Sequence, residues 1–116
     1  MTEITIPFNE WSKERIRLEK KFATTRSKPY GKKGDWFECC GKQCEIEFVV
    51  KLPLWFINLF LFETEGAESS LEFSKVWMDI HPKLSWEEML GREYYYHFWS
   101  ILAPGDLLTK EEVKVK

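Results

Sequence analysis

The chain has 116 residues, 44% of them hydrophobic and 31% charged, with only 6 Gly and 5 Pro, which is too apolar and too varied for a disordered or fibrous protein and sized for one domain rather than two. Its longest apolar run, residues 52–62, is broken by Pro53 and Asn58 and falls short of the ~20 residues a membrane helix needs, so no membrane partner is expected. A formal net charge of −2 argues against a protein that binds nucleic acid by bulk charge, yet residues 13–33 carry nine Lys and Arg against Glu14 and Glu19, a local +7. Residues 34–116 carry −7 and residues 1–12 carry −2, so the positive field is concentrated in one early segment that can face an anionic partner. The opening MTEITIPFNEW has acids and no basic flank before an apolar core, so it does not read as a secretory signal and a cytoplasmic location is expected. Cys39, Cys40 and Cys44 are an odd set without disulfide spacing, and reduced thiols are expected.

In chain order, residues 4–8 (ITIPF) alternate and predict a short strand that Pro7 stops. Asn9 is a candidate N-cap for a charged helix over residues 10–20, with Trp11, Arg15 and Leu18 on one face and Ile16 beside it. Ala23, Thr24, Thr25 and Arg26 favour extended structure, and the segment from Lys28 through Pro29, Tyr30 and Gly31 to Lys32 and Lys33 reads as a turn and a solvated pair. Residues 36–50 predict a hairpin turning at Gly41 and Lys42, with Cys44, Ile46 and Phe48 on its core side. Residues 54–62 (LWFINLFLF) are apolar almost all round and predict a helix that is either buried or the contact of a homo-oligomer. Ser69 or Ser70 can cap a helix to about Ile80 with Phe73, Val76, Trp77 and Ile80 on one side, ended by His81 and Pro82. Ser85 can cap one more turn, and residues 94–102 (YYYHFWSIL) predict a final core strand. The expected domain has its core at about residues 3–103, with residues 104–116 as a tail, charged from Thr109. The order β-α-β-β-α-α-β fits an α+β fold, a small, partly open β-barrel or curled sheet flanked by helices.

The chain has no Gly-rich phosphate loop, nucleophile elbow, HExxH or paired CxxC. Cys40 and Cys44 have ligand-like spacing, but the histidines stand alone on other elements, so no metal and no cofactor are expected. Trp36 and Trp77 can stack on a base, although their strand and helix spacing reads as core. His97, alone among aromatics, reads as a hydrogen-bonded core residue or as a polar wall of a cleft.

The segments EKKFATTRSKPYGKKGD, TEGAESSLEFSKVWMDIHP and YYYHFWSI together closely resemble the ASCH family of the PUA-like superfamily. In that family a G-x-K-x-x-T-x-R segment precedes a Gly-Asp turn, and an E-G-F-x-S-x-x-E-F stretch then opens a helix that ends at His-Pro or Tyr-Pro. Lys21, Thr24 and Arg26 match the first motif, Gly34 and Asp35 the turn, Glu65, Gly66, Ser69, Glu72 and Phe73 the second, and His81, Pro82, His97 and Phe98 the end. Two positions depart: Glu19 stands where the family has Gly, putting a carboxylate near the expected anion site, and Ala67 stands where it has an aromatic, shortening a wall of the expected pocket.

The resemblance implies a PUA-like barrel with a basic cleft for RNA or a modified nucleoside, formed here by Lys20, Arg26, Lys28, Tyr30, Lys32, Lys33 and His97. Family members that resemble amidohydrolases of N4-acetylcytidine use a lysine, threonine and glutamate, which correspond to Lys21, Thr24 and Glu65; other members look like ribonucleases. A buried lysine can take the proton of a threonine hydroxyl and a carboxylate can pass a proton to the leaving amine. In a regular strand Lys21 and Thr24 point to opposite faces, whereas Thr24 and Arg26 share one.

Overall fold

The structure is a computed structural model that describes residues 2–103, so the tail expected at 104–116 lies outside the described residues. Extended, β-rich stretches become β1 (Ala23–Arg26), β2 (Trp36–Cys39), β3 (Lys42–Pro53) and β4 (Glu93–Ile101). They pair antiparallel in the order β1-β4-β3-β2 and form a half-barrel with flanking helices, the α+β architecture expected. The helices are α1 (Glu10–Arg17), α2 (Leu54–Phe60), α3 (Ser70–Ile80) and α4 (Trp86–Leu90).

Three helices begin where their capping residues predict. The side chains of Asn9, Ser69 and Ser85 accept from the backbone N–H groups of Ser12, Glu72 and Glu88 at 2.8, 3.0 and 3.2 Å, each cap contributing about 1 kcal/mol. β4 is buried on both faces, which explains its near-continuous aromatic run. Tyr94 and Tyr96 pack with Leu54, Ile57, Phe73, Trp77 and Met89, while Trp99 packs on the other face with Ile6, Ile16, Phe37, Cys44 and Ile46.

Several local expectations are corrected. Residues 4–8 form no strand; the N-terminal segment makes one isolated parallel bridge, Glu3 to Trp36, and Pro7 has no N–H with which to extend a ladder. α1 stops at Arg17, so its buried residues are Ser12 and Ile16, and Leu18 is 56% exposed. The hairpin turns one residue early, at Cys40 and Gly41, whose φ values of 58° and 80° suit a two-residue type I′ turn. A bulge between Ile46 and Phe48 breaks the alternation, so Ile46 stays in the core whereas Phe48 stacks on Phe98 and is 45% exposed. α2 ends at Phe60; it buries Leu54 and Ile57 and exposes Trp55, Leu59 and Phe60. Among the described residues no helix is long and apolar enough to cross a membrane.

Trp99 is fully buried and meets the Phe37 ring edge-on at 5.1 Å. Trp99→Ala is expected to cost about 3–5 kcal/mol in urea unfolding, against no more than about 0.5 kcal/mol for Phe60→Ala on the exposed side of α2.

Candidate functional site

After α1 the chain reverses at Glu19, which takes φ 56°, and the N–H groups of Lys20 and Lys21 both donate to the Arg15 carbonyl at 2.9 and 3.2 Å. This position is the one where the family motif has glycine, and its left-handed backbone is the physical reason for that preference. The Glu19 carboxylate turns away to Lys42 at 3.2 Å and does not enter the cavity described below. Ala67 is likewise in the core and not on the cavity wall. The reversal sends Lys21 inward, where it is 3% exposed and donates through Nζ to the Glu65 backbone carbonyl at 2.9 Å and to Glu65 Oε1 at 3.3 Å. Glu65, itself 4% exposed, comes from the loop between α2 and α3. Burial pushes the Lys21 ammonium below its ordinary pKa, and the Glu65 charge and hydrogen bond oppose that shift.

The second carboxylate oxygen of Glu65 accepts from Thr25 Oγ1 at 2.6 Å. Thr24 points to the other face, as strand parity requires, and its Oγ1 accepts from Arg26 Nε at 3.1 Å. Both hydrogen bonds of Lys21 Nζ go to Glu65 and none joins it to Thr24 among the described residues, and the hydroxyl that reaches Glu65 is Thr25's. Thr25 was missed by the motif, although the same two-residue period that separates Lys21 from Thr24 puts Lys21 and Thr25 on one side.

Lys21, Glu65, Thr24, Thr25 and Arg26 all line one cavity of about 320 Å³. Its apolar walls are Trp11, Phe73 and Trp77, with Tyr30 and His81 also on the lining. The His81 ring stacks on Trp77 at 4.3 Å between centroids, and Trp77 holds its place by an Nε1–H bond to Met89 Sδ. The Arg26 guanidinium also donates to the Pro7 carbonyl at 2.6 Å and sits 5.6 Å from the Tyr30 ring, so its aim is set by three neighbours.

The remaining expected binding residues are elsewhere. Lys20 is exposed 3.9 Å from Glu68, Lys28 lies 5.5 Å over the outer Tyr30 ring, and Lys32 and Lys33 are exposed on the β1–β2 loop; none lines the cavity. His97 is fully buried behind β1. Its Nε2 accepts from the Tyr30 N–H at 2.9 Å, which assigns the proton to Nδ1, donated to the Thr24 carbonyl at 3.1 Å. It positions Tyr30 and Thr24 rather than facing a ligand, and burial holds it below the ordinary histidine pKa. Among the described residues no group of three or more His, Cys, Asp and Glu is arranged to hold a metal ion.

No family model matches the sequence, and no curated protein matches it. Among solved structures, the ASCH domain from Lactobacillus crispatus JV V101 is similar, with a TM-score of 0.55 and 11% identity over 86% of this chain and 78% of that one. The fold is thus ASCH-like, in agreement with the motif order.

Removing Glu65 strands a buried ammonium. Glu65→Ala is expected to lose about 3–5 kcal/mol of stability, and Lys21→Met with Glu65→Leu to recover most of it, because replacing both charges by packed apolar groups is nearly neutral. Denaturant midpoints of the two variants and the parent chain check this. For His97 the unfolded chain takes up a proton near pH ~6.5 while the folded one resists it, so stability falls as pH drops below about 6.5. Urea midpoints between about pH 7.5 and 5.5 should show that slope, and His97→Gln should flatten it.

Proposed function

We propose that the cavity binds one base of a single-stranded RNA or of a modified nucleoside. The observation that carries this reading is the buried Lys21–Glu65 pair at a cavity walled by Trp11 and Trp77. A buried ion pair adds little stability over an apolar pair, and buried ionisable groups in a cleft mark functional sites. Glu65 accepts hydrogen bonds and Lys21 donates them, which matches the mixed edge of a cytosine-like base, while indole faces suit stacking on its ring. The volume is at the small end of the ~300–1,000 Å³ typical of small-molecule sites and suits one nucleoside. Arg26 on the cavity lining and the exposed Lys28, Lys32 and Lys33 beyond it supply positive charge for phosphates. The ASCH-like fold supports the same reading.

Tryptophan fluorescence titrated with cytidine, N4-acetylcytidine and a short single-stranded RNA tests it. Saturable quenching is expected, weakened about 10-fold or more in Glu65→Gln, since a hydrogen bond to a charged group is lost. For RNA, each phosphate contact adds about 0.7 to the salt slope, and Arg26→Ala with Lys28→Ala should reduce that slope. No saturable change with any of the three probes overturns the reading.

A second reading is hydrolysis of an amide on the bound base by Lys21, Thr24 and Glu65. It is favoured by the 2.6 Å bond from a threonine hydroxyl to the Glu65 carboxylate, a base in contact with a nucleophile, although that hydroxyl belongs to Thr25. Incubation with N4-acetylcytidine should then release cytidine and acetate, and Thr24→Ala and Thr25→Ala tested separately assign the nucleophile. Self-association through α2 rests on the exposed Trp55, Leu59 and Phe60, and a monomer mass by light scattering removes it.

A further inference from the structure

At the sheet edge formed by β2, across the sheet order from β1, the β2–β3 turn carries two adjacent cysteines that the proposed function does not use. Cys39 closes β2 and Cys40 is the first residue of the type I′ turn. Their sulfurs are 3.0 Å apart and both side chains are partly exposed. Cys40 sits at φ 58°, where Asn, Asp or Gly is the favoured turn residue, so the local backbone does not explain a cysteine there. Both thiols open on a groove of about 560 Å³ that also receives Lys13, Arg17 and Glu38. Arg17 Nη1 approaches Cys40 Sγ at 4.0 Å.

We infer that Cys39 and Cys40 form a reversible vicinal dithiol–disulfide site that is oxidised by a small disulfide carrying carboxylates. Cys40, beside the Arg17 guanidinium, supplies the attacking sulfur. Its sulfur displaces one sulfur of the oxidant, leaving a mixed disulfide on Cys40 and releasing the first thiolate. Lys13 and Arg17 then hold the anionic half that remains in the groove. Cys39 next attacks the Cys40 sulfur; the Cys39–Cys40 bond forms, the bond to the oxidant breaks, and the Cys39 proton leaves with the second thiol. The protein dithiol loses two electrons and the oxidant becomes two thiols. Burial, together with its hydrogen bond to Cys40, pushes the Cys39 thiol up. Cys44 is unsuited to either part: it is fully buried, and burial also pushes its thiol up to about 12.

Reversibility follows from chain connectivity. Adjacent Cα atoms are held about 3.8 Å apart, below the roughly 4.4–6.8 Å of ordinary disulfides, so the ring is strained and readily reduced. Such bonds belong to the labile, switching class rather than the structural one.

The test uses the whole reduced chain, equilibrated in buffers of graded oxidised to reduced glutathione, then alkylated and digested with trypsin. The peptide of residues 34–42 holds Cys39 and Cys40 and excludes Cys44, so an intrapeptide disulfide is read directly by mass. Expected are an internal disulfide in that peptide at oxidising ratios, its full loss on return to reduced glutathione, and an unchanged result in Cys44→Ser. Cys39→Ser should stop at the glutathione adduct on Cys40, whereas Cys40→Ser should form no adduct, and Arg17→Ala should slow the reaction about 3- to 10-fold at low salt. Two alkylated thiols at every ratio, a bond to Cys44 or to another chain, or equal adduct formation by the two serine variants overturns the assignment. Circular dichroism of each variant confirms that the fold persists, so failure to react is not failure to fold.

Discussion

An ammonium group leaves water only in company, and Lys21, 3% exposed, finds its company across the chain at Glu65. The contact closes only if both backbones bend sharply. Glu19 takes a left-handed conformation to end α1, and Gly66, at φ 98°, passes so near that a Cβ there would stand 2.8 Å from Arg15 Cγ and 3.1 Å from Lys21 Cβ. Thr64, one residue before Glu65, shares a 2.6 Å hydroxyl bond with Tyr96 and accepts the Phe22 N–H through its carbonyl. The loop after α2 is thus pinned to the start of β1 and to β4 together, and the cavity is the space this pinning leaves between α1 and α3.

The site and the core use the same strand for different purposes because alternate residues face opposite ways. Thr25 and Ala23 share the side of Tyr96 and the helices, and Thr24 and Arg26 the side of His97. A neutral, fully bonded imidazole behind β1 fixes the backbone of Thr24 and, through Tyr30, the loop that carries Lys28, Lys32 and Lys33. The polar groups around the cavity are held by partners of their own, which gives a preorganised site in place of a flexible one.

Features written within a few residues were legible in the sequence. Caps at Asn9, Ser69 and Ser85 and the strand at residues 23–26 depend on neighbours three or fewer positions away, and each formed as expected. Features that depend on a distant partner were not. The bulge that expels Phe48 is a property of β3 against β4, and no periodicity in β3 alone reports it. Residues 4–8 look like a strand because alternation is local, but an edge position that Pro7 closes leaves room for a single bridge. The motif order marked Lys21 and Glu65, which do meet. It also marked Thr24, whose hydroxyl accepts from Arg26, while the hydroxyl on Glu65 is that of Thr25, a contact that spacing along the chain does not encode.

The position of β4 has a consequence for how the protein is made. Among the described residues it is the last strand in sequence and one of the two central strands of the sheet, the only strand partner of β1 and the long partner of β3. As the chain leaves the ribosome, residues 23–92, with exposed β1 and β3 edges, must wait for residues 93–101 before either is covered. The hairpin of β2 and β3 can form early from local contacts, but its apolar flank stays open through that interval. The topology therefore adds an aggregation risk during synthesis, and slowing elongation just before residue 93 would lengthen that exposure.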